Sequence, residues 1–187
     1  TLKQISRFLY RHSDHIVVVS PAFKGHLISH WGVTEHKISV IENGVESDTF
    51  TPEGNGEDTK RALGLEGKFL VSYIGTLGNA HGLHTLLEAA AELQQPRPDI
   101  RFVLVGEGAE KERLQSVARG KGLANVLFVP LQPREEIPAL IRASDVCLVL
   151  LRRAEVFKTV IPRKMLEFMS CGRPVVLGVD GQARQLL

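Results

Sequence analysis

Cysteine is scarce in this chain: Cys147 and Cys171 are the only two in 187 residues. Both sit among apolar neighbours, and neither has the spacing of a zinc site. A disulfide framework is therefore not expected, and a reduced, cytosolic setting is the default. Charge of one sign is scarce too. The 23 Lys and Arg against 21 Asp and Glu leave a net charge of +2. No basic run and no interleaving of basic and aromatic residues appears, which argues against nucleic acid as a partner. No stretch approaches the roughly 18 apolar residues of a membrane-spanning helix, and no signal peptide opens the sequence. Absent as well are the G-x-x-x-x-G-K-[ST] loop of the P-loop NTPases, the G-x-G-x-x-G dinucleotide fingerprint and the G-x-S-x-G nucleophile elbow.

What is there is a globular composition, 43% hydrophobic and 24% charged, long enough for one good-sized domain or a small one plus a fragment. The first residue is Thr1, and the chain stops at Leu186-Leu187 inside what reads as a helix start. The expectation is a piece of something longer. Residues 1–14 carry Leu2, Ile5, Phe8 and Leu9 at helical spacing among Lys3, Arg7 and Arg11. Ile16-Val17-Val18-Val19 is an unbroken apolar run, expected as a strand buried on both faces. Ser20-Pro21 is a cap followed by proline at the first helical position, opening a helix to about Trp31. Lys37–Ile41 reads as a short strand, and Pro52 to Lys60, polar and glycine-rich, as a linker or hinge.

From Lys68 strands and helices alternate. Strands are expected at 69–75, 101–106, 126–129, 146–151 and 175–178, with helices from Leu83, up to about Arg119 and around 137–143. Alternation at this spacing predicts an α/β fold with a Rossmann-like, doubly wound parallel sheet. Ligands of such sheets sit beyond the carboxyl ends of the strands. That places the loops Gly75–Gly82, Glu107–Ala109, Pro130–Arg134 and Arg152–Lys164 around one crevice, and their glycines, cations and small polar residues suit a phosphate-bearing ligand.

Two stretches carry the chemistry. Gly75-Thr76-Leu77-Gly78 leaves backbone N–H groups open at a strand-to-helix turn, a common phosphate cradle, although glycines there also serve as plain tight turns. His81 and His84 have no Asp or Cys nearby to complete a metal site. The second stretch is Thr159 to Val176, read as loop, short helix, turn and strand. Pro162 suits the first helical position, Met165, Leu166, Phe168 and Met169 form an apolar stripe, and Gly172 sits where a C-cap glycine belongs. Val175, Val176 and Leu177 then supply a buried strand. Arg163 and Lys164 lie four and three residues before Glu167, so all three can share one helix face. Two cations at a helix start make an anion site plausible. A solvated helix with an ordinary Glu–Arg pair fits the same spacing.

With these residues in place the sequence resembles the retaining GT-B glycosyltransferases of family 4, also called glycosyltransferase group 1, from about His15 to Leu187. Ile38–Val45 followed by Asp48, Phe50 and Pro52 is similar to the family's interdomain junction. Tyr73–Leu77, Val103–Gly108 and Ala143–Val146 are similar to its core blocks, and Leu166–Val176 to its most specific one. The resemblance implies a C-terminal remnant of the acceptor domain over residues 1–52, and a nucleotide-sugar donor domain, cut short, over 53–187. It implies a nucleotide-sugar donor (a UDP-sugar, with a GDP-sugar as the weaker candidate), a glycan or polyprenyl-linked acceptor, no metal and no other cofactor. The nearest subgroup contains amino-sugar transferases of surface polysaccharide synthesis, such as lipopolysaccharide and capsule. A peripheral place at the inner membrane face would come from the rest of the protein.

Residue by residue, the second glutamate of the family's paired motif falls on Glu167, which would accept from the ribose hydroxyls. The first falls on Thr159, so the carboxylate that reads the donor sugar is absent. The family's two diphosphate cations fall on Thr76 and His81. The expectation is that the cations come from the helix start instead: Lys164, with Arg163 or Lys158 beside it, would neutralise the leaving diphosphate. Gly75 and Gly78 would line the donor, and Val129 and Pro130 would hold the base, largely by backbone contacts. The fragment by itself would bind donor without completing transfer. A sugar-nucleotide epimerase of GT-B layout and a degenerate, purely binding relative are the alternatives; an NAD-dependent oxidoreductase is disfavoured by the missing fingerprint.

Overall fold

A computed structural model describes residues 2–187, so Thr1, the first residue of the expected N-terminal helix, lies outside the described residues. The chain divides into two compact units that interleave in sequence. One comprises residues 45–152 and 163–178; the other comprises 1–44, 153–162 and 179–187. The compact units change over at four points along the chain.

The larger unit holds one parallel sheet of β3 (Phe69–Ile74), β4 (Ile100–Val105), β5 (Val126–Val129), β6 (Val146–Leu150) and β7 (Val175–Gly178), in the order β5-β4-β3-β6-β7. The expected doubly wound α/β sheet is therefore what forms. Its central strands are apolar almost without interruption because helices cover both faces. Leu83 and the apolar face of α4 (His84–Leu93), with Leu86, Leu87 and Ala90, pack on Tyr73, Phe102 and Leu104, as do Leu114 and Ala118 of α5 (Lys111–Gly120). Buried side chains of this size each contribute roughly 1.5–3 kcal/mol. The connections place the reversal of strand order between β3 and β6, where a crevice opens at the carboxyl ends.

Polar anchors fix what apolar burial leaves free. Helix α3 (Glu57–Ala62) lies inside the stretch expected to be a linker. Its sequence, Glu-Asp-Thr-Lys-Arg-Ala, has no apolar stripe to announce it. Lys60 holds it in place instead, with Nζ 3.1 Å from Asp145 Oδ2, an oxygen that also accepts from the Leu70 N–H at 2.8 Å. Helix α6 (Ile137–Ala143) and α7 (Arg163–Ser170) complete the unit. Pro162 precedes α7 rather than occupying its first turn. At the other end Gly172, at φ +66°, donates to Met169 O, and Arg173 donates to Phe168 O, the paired bonds of a Schellman-type cap.

Two expectations fail at the sheet edge. Val176 is 54% exposed, so β7 is an edge strand with a bare face, not a buried one. Met169 is also exposed, because the inward stripe of α7 is completed by Glu167 instead.

The other unit contains α1 (Leu2–His12), β1 (Ile16–Val18), α2 (Pro21–Trp31), β2 (Ile38–Val40) and α8 (Gln182–Leu186). Ser20 caps α2 by accepting from the Phe23 N–H at 3.0 Å, as its place before Pro21 predicts. Val18, Leu27, Val33 and Ile38 form the core here, bordered by Tyr10 and Trp31 in edge-on contact. Strands β1 and β2 pair parallel as a sheet of two. Val17 is 57% exposed, which corrects the expectation of burial on both faces: this small sheet is covered on one side.

Candidate functional site

The site is built at the carboxyl end of β3. Strand β3 ends in Tyr73 and Ile74 and hands over to Gly75, whose φ of +139° lies outside the range comfortable for a side chain. The Tyr73 hydroxyl donates to Thr76 O at 2.8 Å, holding the loop over the ring. Lys164, in the first turn of α7, lays Nζ above the Tyr73 ring, 4.0 Å from its centroid. A Cβ added at Gly75 would stand 2.5 Å from that nitrogen, so only glycine leaves room for the ammonium.

Lys164 Nζ is buried and makes no hydrogen bond. Three other buried side-chain polar atoms among the described residues share that condition, on Asn125, Arg142 and Arg173, but in each the same side chain is bonded through another atom. Lys164 has no second atom to offer. Burial pushes its ammonium down to about 8, with Glu167 opposing the shift. The aromatic face offers attraction without neutralising the charge, a contribution of about 0.5–2 kcal/mol.

His81 joins this cluster, tilted against Tyr73 at 5.7 Å. Its Nδ1 donates to Leu150 O at 3.2 Å. Burial, with the Lys164 charge next, lowers the imidazole below its usual pKa, so it is neutral at neutral pH and does not repel the ammonium. Gly75, Thr76, His81 and Lys164, expected together from the sequence, are thus brought together.

The glycine loop itself is more structural than anticipated. Of its four N–H groups, Gly75 donates to Val105 O at 2.9 Å and Leu77 to Glu107 O at 2.8 Å. The next loop nests directly on it: a Cβ at Gly106 would collide with the Gly75 carbonyl. Thr76 and Gly78 carry the other two N–H groups. Gly78 faces a polar cleft of about 200 Å³, lined also by Asn79, His84, Glu110, Arg113 and Arg152.

Arg163 and Lys164 diverge. The expectation that both share a face with Glu167 holds only for Arg163, because successive helix residues point about 100° apart. Arg163 Nε reaches Glu167 Oε1 at 3.4 Å, and Arg134, in the turn after β5, reaches the same oxygen at 3.2 Å. Glu46 closes the figure, with Oε1 3.1 Å from Arg163 and Oε2 3.4 Å from Arg134. Two carboxylates and two guanidiniums alternate in a ring, and Glu167 is its one buried member. The sequence placed Tyr73 in a core block and Arg134 in the Pro130–Arg134 loop of the crevice but assigned neither a role, nor one to Glu46, which lies within the junction stretch; the partner of Arg134 is 33 residues away, and no local pattern links the two.

Other expected residues are placed elsewhere or already engaged. Lys158 and Thr159 belong to the smaller unit. Only Arg152, Arg163 and Lys164 stay with the Gly75 loop. Thr159 Oγ1 donates to Val156 O at 2.7 Å, its carbonyl accepts from the Ser20 hydroxyl, and Lys158 pairs with Glu155 at 2.7 Å. The smaller unit gathers this segment because its backbone finds partners there, including Asn43 Nδ2 on Ile161 O at 3.2 Å. Val129 O accepts from the Gly106 N–H and Pro130 O from the Gln132 amide, one bond each, which leaves each carbonyl a second lone pair.

A Rossmann-like sheet with cations gathered at the carboxyl end of its first strand, beside the strand-order switch, defines a class, and the comparisons with known proteins specify it. Residues 55–187 match the glycosyl transferases group 1 family, and residues 1–49 match Glycosyltransferase Family 4. The chain belongs to the glycosyltransferase group 1 family, and its fold is that of the GT-B enzymes. Among curated relatives, a D-inositol 3-phosphate glycosyltransferase of Segniliparus rotundus is 31% identical over 92% of this chain and 38% of its own length. The putative colanic acid biosynthesis glycosyl transferase WcaI of Escherichia coli is 33% identical over 89% of this chain and 41% of its own. Among solved structures, Anabaena Alr3699/HepE in complex with UDP and glucose superposes with a TM-score of 0.82 at 24% identity, covering all of this chain and 50% of that one. The chain thus spans about two fifths of the curated relatives it matches.

Proposed function

We propose that this chain carries the donor side of a retaining, metal-independent glycosyltransferase, which moves a sugar from a nucleoside diphosphate to a glycan or polyprenyl-linked acceptor. The observation that carries the reading is Lys164: a buried, unpartnered cation held over Tyr73 at the mouth of the sheet. A cation kept without an anion at such a place is arranged for a ligand's anion. As the glycosidic bond breaks, charge builds on the leaving diphosphate, and a fixed ammonium beside a helix start stabilises that state selectively. Glu167, whose contacts both fall on Oε1, offers Oε2 to the ribose hydroxyls. Val129 and Pro130 would then hold the base, largely by backbone contacts.

Support for UDP as the nucleotide comes from the HepE complexes with UDP and UDP-glucose, and for a surface-glycan product from WcaI and from WaaG, a glycosyltransferase involved in lipopolysaccharide biosynthesis. Among the described residues no helix is long and apolar enough to cross a membrane. The test is calorimetric titration with UDP, GDP and NAD, with and without magnesium. Binding of one nucleoside diphosphate, unaffected by magnesium, and none of NAD is the expected result; magnesium-dependent binding, or NAD alone, overturns it.

A further inference from the structure

The ion ring around Glu167 is poorly explained as a stabilising device. Glu46, Arg134 and Arg163 are 57%, 47% and 51% exposed at their side chains, and exposed pairs contribute about 0–1 kcal/mol each. Its geometry is more informative. Both guanidiniums meet Glu167 on Oε1, pinning one oxygen of a side chain only 10% exposed. Glu46 spends one oxygen on each arginine, so it fixes the two guanidiniums relative to each other. Arg134 is held from a further side: its guanidinium carbon stands 4.9 Å from the centroid of Phe50, which is wholly buried. Three separate chain segments (Glu46 and Phe50, Arg134, and helix α7) thus converge to orient one carboxylate.

We infer that Glu46 and Arg134 are positioning residues that set the rotation of the Glu167 carboxylate and turn Oε2 to the two vicinal hydroxyls of a ribose. This rests on the donor-binding reading above. A carboxylate free to rotate would present either oxygen to water. One pinned at Oε1 accepts from the sugar hydroxyls without first losing that freedom, so the ring acts on the discrimination between ribose and deoxyribose rather than on the hold over the diphosphate. Arg163 contributes to the same clamp but sits beside Lys164, so Arg134 and Glu46 are the members that separate the two roles.

The experiment compares binding of UDP with binding of 2′-deoxy-UDP by calorimetry, with GDP and deoxy-GDP in parallel, and reads the ratio of the two dissociation constants. In the wild-type chain the ratio should be about tenfold or more, as for a hydrogen bond to a charged group. Glu167→Gln should bring it close to one. Arg134→Ala and Glu46→Gln should each cut it by about threefold or more, weakening the deoxynucleotide, which keeps only its 3′-hydroxyl, less than the ribonucleotide, and Arg134→Lys should recover part of the loss because its charge still reaches Oε1. A purely structural ring would weaken both nucleotides equally and leave the ratio intact, and that result overturns the inference. If Glu167→Gln does not move the ratio, or if neither nucleoside diphosphate binds the wild-type chain, the donor-binding reading falls and this one with it. If Glu167→Gln collapses the ratio and the Arg134 and Glu46 variants do not, only the positioning role falls.

Discussion

Arg163 and Lys164 are adjacent cations at the start of one helix, and they have opposite fates. Arg163 is about half exposed and shared between two carboxylates. Lys164 carries a buried nitrogen with no hydrogen-bond partner, lies over an aromatic ring and is pushed down to about 8. The difference lies in what each side of α7 meets. One side meets Glu46 of another segment together with Glu167 of the same helix; the other meets the apolar end of β3, where Gly75 makes room. A partnered charge organises its neighbours, whereas an unpartnered one waits for a ligand. Position along the helix does not distinguish these roles; direction around it does.

The sharpest way to break this contrast is to remove one cation at a time. Lys164→Ala should weaken UDP or GDP binding by more than tenfold, since an anion partner in a partly buried site contributes about 1.5–3 kcal/mol. Calorimetry would read it directly, and unchanged affinity would end the idea that Lys164 meets the diphosphate. Gly75→Ala attacks the same nitrogen from below. Its methyl would displace Lys164, and the backbone conformation itself costs about 1–3 kcal/mol for a side chain. Weaker nucleotide binding together with a lower melting temperature is expected.

Stability gives a second handle with a definite sign. The folded Lys164 sits near 8 against an ordinary 10.5, so the folded state disfavours its charged form. That cost is present in full below about pH 8 and fades as pH rises towards 10.5. Lys164→Met should therefore stabilise the chain, on the order of 3 kcal/mol at neutral pH, while binding is lost. Denaturant titrations at pH 7 and pH 10 check both parts, and a destabilised Met variant at pH 7 would contradict the burial argument.

Binding should follow the same proton. Above about pH 8 the free ammonium deprotonates, so nucleotide affinity should fall by up to tenfold per pH unit, with proton uptake on binding. Titrations in two buffers of different ionisation enthalpy would detect that uptake, and Lys164→Ala should abolish it. The smallest effect expected is on the other side of the comparison: Arg163→Ala should change stability by about 1 kcal/mol or less, measured by thermal unfolding. A loss as large as that of a core truncation would mean the ring is a structural keystone after all.

Much of the fold could be read in advance because burial writes itself into local patterns. Phe69–Ile74, Ile100–Val105 and Val146–Leu150 are apolar runs because both faces of a central parallel strand are covered. Helix α3 was invisible for the opposite reason, being held by the single ion pair of Lys60 with Asp145, 85 residues away. The edge strands β1 and β7 misled because a valine run looks the same whether one face is bare or both are covered. At the site, Gly75, Thr76, His81 and Lys164 came together as expected from two loops that must end on the same side of a parallel sheet. Thr159 and Lys158 belong to the other unit, where the segment between β6 and α7 finds backbone partners such as Ser20.

Alternating strands and helices with short loops are consequences of chain-local periodicity and stereochemistry, so the sequence by itself determined the α/β sheet and the presence of cations at the α7 start. Tertiary structure decided which of those cations is paired. Partnership depends on groups 33, 88 and 117 residues apart meeting within hydrogen-bond reach, and no local pattern encodes a distance across the fold. Only packing could turn Lys164 onto Tyr73 and Arg163 onto Glu46 and Glu167.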